Sequence, residues 1–186
     1  MADPRNLHRR AGDMASEVIA HVRPAQLGRA TPCTEWDLRA LINHVVGGNL
    51  RFTAMVTGEP GPDADDDVLG SDPLESFRDS LHQLCSVFGR PEFLEQAYPT
   101  PFGEGPGTVL VEMRVVELTI HSWDLAAASG QRRDLDPELV GFADSILRSR
   151  PIPRGETGPF RPEKPAPVGA PGADRLAAFA GRIVPA

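Results

Sequence analysis

Three times along this chain an aspartate is followed directly by proline, at Asp3-Pro4, Asp72-Pro73 and Asp136-Pro137, and each time an apolar stripe begins just behind it. A carboxylate can cap the free N–H groups of a first helical turn, and proline fits the first helical position because its missing N–H would have no partner there. Behind Asp3, Leu7, Ala11, Met14, Val18 and Val22 recur at helical spacing to near Pro24. Behind Asp72, Leu74, Phe77, Leu81, Leu84, Cys85 and Phe88 do the same up to Gly89, and behind Asp136 a shorter helix runs through Val140, Ala143 and Leu147. Two more helices lack the Asp-Pro start. Thr34-Glu-Trp-Asp37 reads as a capping box for a helix through Leu38, Leu41, Ile42, Val45, Val46, Asn49 and Phe52 to about Gly58. The pattern from about Gly107 to Ser129, through Leu110, Met113, Val116, Ile120 and Leu125, stops at Gly130.

No stretch alternates apolar and polar residues with the β-branched and aromatic richness of a strand, so the expected class is all-α. Helices joined by linkers of 10 to 20 residues suit a four-helix bundle with long connections. The bundle is expected over residues 1–150. Seven prolines within 151–171 predict an extended linker, and 172–186 a short C-terminal helix docking back through Leu176, Phe179, Ala180 and Ile183. The linker after Gly58 holds Asp63, Asp65 and Asp67 at calcium-loop spacing, but Val68 and Leu74 stand where that loop needs glycine and glutamate, so it reads as a solvated acidic loop.

A net charge of −7 argues against nucleic acid as a partner, and no apolar run is long enough to span a membrane. With no apolar leader core behind Met1, the expected location is the cytoplasm, with Cys33 and Cys85 reduced.

The fourth helix carries the chemistry. Glu117, His121 and Asp124 fall within about 60° of one another on a helical wheel and share that arc with Leu110, Met113, Ile120 and Ala128. Three ionisable groups on a core-facing arc need a partner or a metal. An internal ion-pair network would satisfy them, with Glu117 meeting His121 and Asp124 meeting an arginine such as Arg114. His44, mid-way along the second helix and followed one turn later by Gly47-Gly48, supplies a second imidazole. Two histidines and one carboxylate would bind a divalent metal ion and leave coordination positions open. Zinc is the default, and iron or nickel suit the same donors.

The segments Thr31-Pro-Cys-Thr-Glu-Trp-Asp37, Asn43-His44-Val-Val-Gly-Gly-Asn49, Thr100-Pro-Phe-Gly103 and Val116-Glu117-Leu-Thr-Ile-His121-Ser-Trp-Asp124-Leu resemble the DinB-like family that includes mycothiol-dependent maleylpyruvate isomerase. The tail Asp174-Arg-Leu-Ala-Ala-Phe-Ala-Gly-Arg182 is similar to that of its actinobacterial metal-binding branch. The resemblance implies a DinB-like bundle with extra short C-terminal helices and metal ligands at His44, Glu117 and His121. Asp124 would then support a ligating imidazole by a hydrogen bond. Arg114, Trp123 and Asn49 are candidates for contacting substrate or thiol, while Trp36 and Cys33 stay open between packing and function. The activity implied is a metal- and thiol-dependent transferase or isomerase, using mycothiol or a similar small thiol on an electrophilic small-molecule substrate, with a homodimer as a possible assembly. A further C-terminal domain accompanies the bundle in the isomerase members, which favours transfer over isomerisation here. A non-catalytic metal-binding stress or accessory protein and a metal-dependent hydrolase are the alternatives.

Overall fold

The computed structural model describes residues 3–100, 103–150, 154–155 and 160–185. Its order is α1 (Pro4–Ala20), α2 (Leu38–Thr57), α3 (Pro73–Phe88), β1 (Ala97–Thr100), β2 (Gly103–Pro106), α4 (Gly107–Ser129), α5 (Pro137–Ser149) and α6 (Gly172–Phe179), with a 3-10 turn at Pro24–Gln26 after α1. The three Asp-Pro starts cap as the sequence predicts. Asp3 accepts from the Arg5 N–H, Asp72 from those of Leu74 and Glu75, and Asp136 from those of Glu138 and Leu139. The long helices form a bundle in which α1 lies along α4, α2 along α3, and α5 and α6 close over the far side of α4.

Three apolar clusters hold it together. The first joins α1, α2 and α4 through residues such as Ala11, Leu41, Val45, Val115 and Leu118, all 0–1% exposed. The second packs Trp123 and Ile120 of α4 against Leu147 of α5 and Leu176 of α6, so the C-terminal segment belongs to the body of the fold. The third gathers Phe52, Phe88, Phe93, Tyr98 and Leu110 around the hairpin. A Cβ on Gly107 would lie 2.1 Å from the Phe93 carbonyl oxygen, which is why α4 can begin tight against the preceding loop.

Two expectations need correction, and the all-α class gains a small addition. Helix α2 begins at Leu38, not behind a Thr34 cap: Asp37 is the cap, accepting from the Ala40 N–H at 2.8 Å. Residues 34–36 instead belong to a loop organised by Thr31, whose hydroxyl donates to the carbonyls of Cys33 (2.9 Å) and Trp36 (2.8 Å). The all-α class holds apart from a two-stranded antiparallel hairpin, β1 with β2, where Ala97 faces Pro106 and Thr100 faces Gly103. Four-residue strands with two prolines and two glycines carry no alternating pattern to read. Ile183 does not dock: it is 78% exposed, and Val184, at 8%, takes its place because α6 ends at Phe179 and the chain turns through Gly181 at φ +92°. Of the motif Thr100–Gly103, residues 101 and 102 lie outside the described residues, as do 151–153 and 156–159 of the proline-rich stretch.

Candidate functional site

His44 on α2 and His121 on α4 face each other across the bundle. Their rings meet edge to face with centroids 5.1 Å apart. Trp36, delivered by the Thr31 loop, stacks on His44 at 4.2 Å and 27° and lies edge-on to His121 at 6.1 Å. Burial, first of all, and then the positive field of His121, Arg114 and Arg51 push the His44 imidazole down to about 2. It is therefore neutral at any working pH and has a lone pair to offer.

His121 is held from behind. Its Nδ1 donates to Asp124 Oδ2 at 3.1 Å, which leaves Nε2 as the acceptor nitrogen. Asp124 is fully buried, and burial pushes its carboxyl up. The His121 hydrogen bond and the Arg182 guanidinium outweigh that and bring it to about 2, so it is an ionised acceptor. Arg182 donates through Nε to Oδ1 (3.1 Å) and through Nη2 to Oδ2 (2.8 Å). Cys33 completes the cluster, its Sγ donating to Asp124 Oδ2 at 3.2 Å and receiving Arg182 Nη2 at 3.1 Å.

Glu117 sits one turn before His121, with its side chain 31% exposed, and ion-pairs with Arg114 Nη1. Arg114 is itself buried to 1%. Its Nη2 donates to Asn49 Oδ1 at 2.7 Å and to the Val45 carbonyl at 3.3 Å, while Asn49 donates to Ser80 Oγ at 3.0 Å. The Gly47-Gly48 pair makes room for this: a Cβ on Gly48 would lie 2.5 Å from Arg114 Nη1.

The residues singled out from the sequence therefore fall into separate places. His44, His121 and Trp36 meet. Glu117 shares their face but is turned to Arg114, so it does not pair with His121. Arg114 and Asn49 form the buried support of Glu117, with both Arg114 Nη atoms bonded to protein acceptors and only the buried Nε left without one. Trp123 is 1% exposed and donates from Nε1 to Asp174 Oδ1 at 2.7 Å, inside the cluster with α5 and α6. Asp124 finds its cation in Arg182 rather than in Arg114. The sequence signal for Arg182 was the uncompensated Asp124 itself, which demanded a cation but did not say which of the chain's arginines would arrive from 58 residues away.

Two donor sets invite a test for metal. Among the described residues, Cys33, His121 and Asp124 are the one trio of such side chains whose ligand atoms all lie within 4.8 Å of one another. Their chemistry is against it. Burial above all, with the Asp124 charge, pushes the Cys33 thiol up to about 12, and Arg182 already occupies both Asp124 oxygens. This trio is a closed hydrogen-bond network. The pair His44 and His121 passes the test. With metal–nitrogen bonds of about 2.1 Å and a tetrahedral angle, two imidazole centroids fall about 5.3 Å apart, close to the separation seen. Each ring can offer a nitrogen, and Glu117, at i−4 from His121, lies on the same helix face, but its carboxylate is held by Arg114 and is not gathered with the two imidazoles.

The model of the mycothiol maleylpyruvate isomerase N-terminal domain family matches residues 8–126. The chain belongs to that family. The match contains every residue of the site except Arg182. Two uncharacterized proteins of Mycobacterium tuberculosis, one from strain CDC 1551 / Oshkosh and one from strain ATCC 25618 / H37Rv, are each 40% identical over 184 residues, covering 98% of this chain and 99% of theirs. A crystal structure of the mycothiol-dependent maleylpyruvate isomerase superposes with a TM-score of 0.66 at 18% identity, covering 80% of this chain and 69% of that one, a likeness of fold. As in that family fold, the architecture is a helical DinB-like bundle. Among the described residues no helix is long and apolar enough to cross a membrane.

Proposed function

We propose that this chain is a metal- and thiol-dependent transferase or isomerase acting on a small electrophilic metabolite, with His44, Glu117 and His121 as the ligands of one divalent ion. The observation that carries the reading is the His44–His121 pair, two imidazoles whose ring centroids lie 5.1 Å apart, one of them backed by a buried carboxylate. Family membership supports the choice of a small thiol, mycothiol or one like it, as the co-substrate. A bound divalent ion would lower the pKa of that thiol and make its sulfur nucleophilic at neutral pH.

The chain's own residues do the rest. Asp124, accepting from His121 Nδ1, favours the tautomer in which Nε2 carries the lone pair. Trp36 covers one face of His44 and limits the water that reaches it. Arg114, anchored by Asn49 and Val45, holds Glu117 on the side of the site, where its carboxylate would serve as the oxygen ligand of the ion. Zinc is the proposed ion, with nickel or iron fitting the same donors.

Metal analysis of purified protein tests the ligand set. Wild type should take up one zinc per chain, and H44A and H121A should lose it while melting as cooperatively as wild type. The zinc-loaded protein should then accelerate conjugation of a thiol to chlorodinitrobenzene or monochlorobimane. Full metal occupancy in both histidine variants would refute the ligand set, and metal-loaded wild type with no rate above background would refute the transferase reading.

A further inference from the structure

The glycine pair on α2 seats two guanidinium groups, of which only Arg114 is accounted for. A Cβ on Gly48 would strike Arg114 Nη1 at 2.5 Å, and a Cβ on Gly47 would strike Arg51 Nη1 at 2.8 Å. Arg51 lies seven residues beyond His44, which places the two within about 20° on the helix wheel and about 10 Å apart along the axis. Helical side chains lean toward the N-terminus, and this one folds back over Gly47, one turn nearer to His44.

Arg51 is half-buried, and among the described residues it has neither a hydrogen-bond acceptor nor an ion-pair partner. That is unusual for a guanidinium partly withdrawn from water. Acceptors are close in the chain. The acidic loop brings Gly61 close to this helix, where a Cβ on it would lie 3.5 Å from Arg51 Cα, yet Asp67 of that loop pairs with Arg39 and Asp66 accepts from the Asp63 N–H. Arg51 also shares its surroundings with a like charge, since its field reaches both Arg114 and His44. Glu117, the nearby carboxylate, is already held by Arg114. Around His44, Arg114 and Arg51 thus face the single carboxylate of Glu117, and the excess positive charge is a planar fork with parallel N–H donors.

We infer that Arg51 is a binding and specificity residue of this site, receiving a carboxylate of the small molecule that approaches His44. The inference rests on the reading of the His44–His121 face as the functional site. The carboxylate could belong to the electrophile or to the thiol, and the two sources separate by experiment.

The probes are two acid–amide pairs of equal shape: succinate with succinamide for the electrophile side, and 3-mercaptopropionate with 3-mercaptopropionamide for the thiol side. Calorimetric titration of zinc-loaded wild type should show the acid of one pair binding at least tenfold tighter than its amide. The pair that shows it names the source. R51Q should lower that ratio at least fivefold, and R51K should keep part of it, as a point charge replacing a fork. The succinate titration repeated on metal-free protein removes any attraction by the ion, and there the ratio in R51Q should fall to about one. An acid–amide ratio in R51Q equal to that of wild type, or no preference in wild type with either pair, overturns the assignment. Zinc uptake, measured on the same samples, keeps this separate from the metal site: wild type that takes up no zinc refutes the metal reading, while the metal-free titrations still decide for or against Arg51.

Discussion

Replacing Arg182 with methionine tests whether the C-terminal segment is part of the site's construction. The substitution keeps most of the side-chain length and removes the guanidinium that neutralises Asp124. Asp124 is 0% exposed and Arg182 7%, and two donors at 3.1 and 2.8 Å link them. Removing one partner of a buried ion pair costs about 3–5 kcal/mol, because the remaining charge stays desolvated. Here His121 and Cys33 still donate to Asp124, which argues for the lower end, about 3 kcal/mol. For a chain of this size that lowers the melting temperature by roughly 6–12 °C. Thermal and urea unfolding of R182M, D124N and the double variant measure it. D124N alone strands Arg182 and should cost a comparable amount, whereas the double variant removes both charges and should be more stable than the sum of the single effects predicts, by about 1.5 kcal/mol or more. An R182M melting point within about 2 °C of wild type, or strictly additive single effects, would refute the claim that this pair anchors Asp124 from the tail.

Two further outcomes follow from groups elsewhere in the bundle. His8 is 1% exposed, has no partner for Nε2, and is pushed down to about 3 by burial first and by Arg114 and Arg9 after it. Its pKa is depressed on folding, so the stability it permits is complete above about 6.5, where the unfolded chain is neutral too, and is lost as pH falls from there toward 3; at pH 5 the loss is about 2 kcal/mol, and H8L should not share it, so parallel wild-type and H8L stability curves between pH 7 and 5 would count against this. Trp36 stacks on His44 while Trp123 is locked to Asp174, so nickel titration should quench wild-type tryptophan emission, and W36F, keeping Trp123 alone, should show little change. Equal quenching in W36F would place the ion elsewhere.

Most of the architecture could be read from caps and periodicity because those signals are local. Asp3, Asp72 and Asp136 each satisfy N–H groups two or three residues away, and Gly130 ends α4 at φ +76°, a conformation that other residues rarely adopt. The start of α2 misled for an equally local reason. Thr34 and Asp37 are both good caps three residues apart, and what chooses between them is the Thr31 hydroxyl bonding two carbonyls of the loop, a tertiary detail with no pattern of its own. The β1–β2 hairpin escaped because its strands are short and rich in glycine and proline, and are held by their place beside Phe93 and Tyr98 rather than by propensity.

The candidate site divides along the same line. Spacing on one helix relates Glu117, His121 and Asp124, and a glycine pair one turn from His44 signals close approach, so these could be found from the sequence. What the spacing could not assign was the pairing of charges. Glu117 and Asp124 are one carboxylate type on one arc, yet one takes Arg114 from its own helix and the other takes Arg182 from the far end of the chain. Burial separates their roles. Asp124, with no exposed surface and three kinds of donor around it, has no freedom to turn and can only position His121. Glu117, a third exposed and held through Arg114, is the carboxylate able to move toward a ligand. The same reasoning distinguishes the arginines. Arg114 is spent on protein acceptors in the core, and Arg51, two helical turns beyond His44 and, among the described residues, without an acceptor, is where an incoming anion finds its charge.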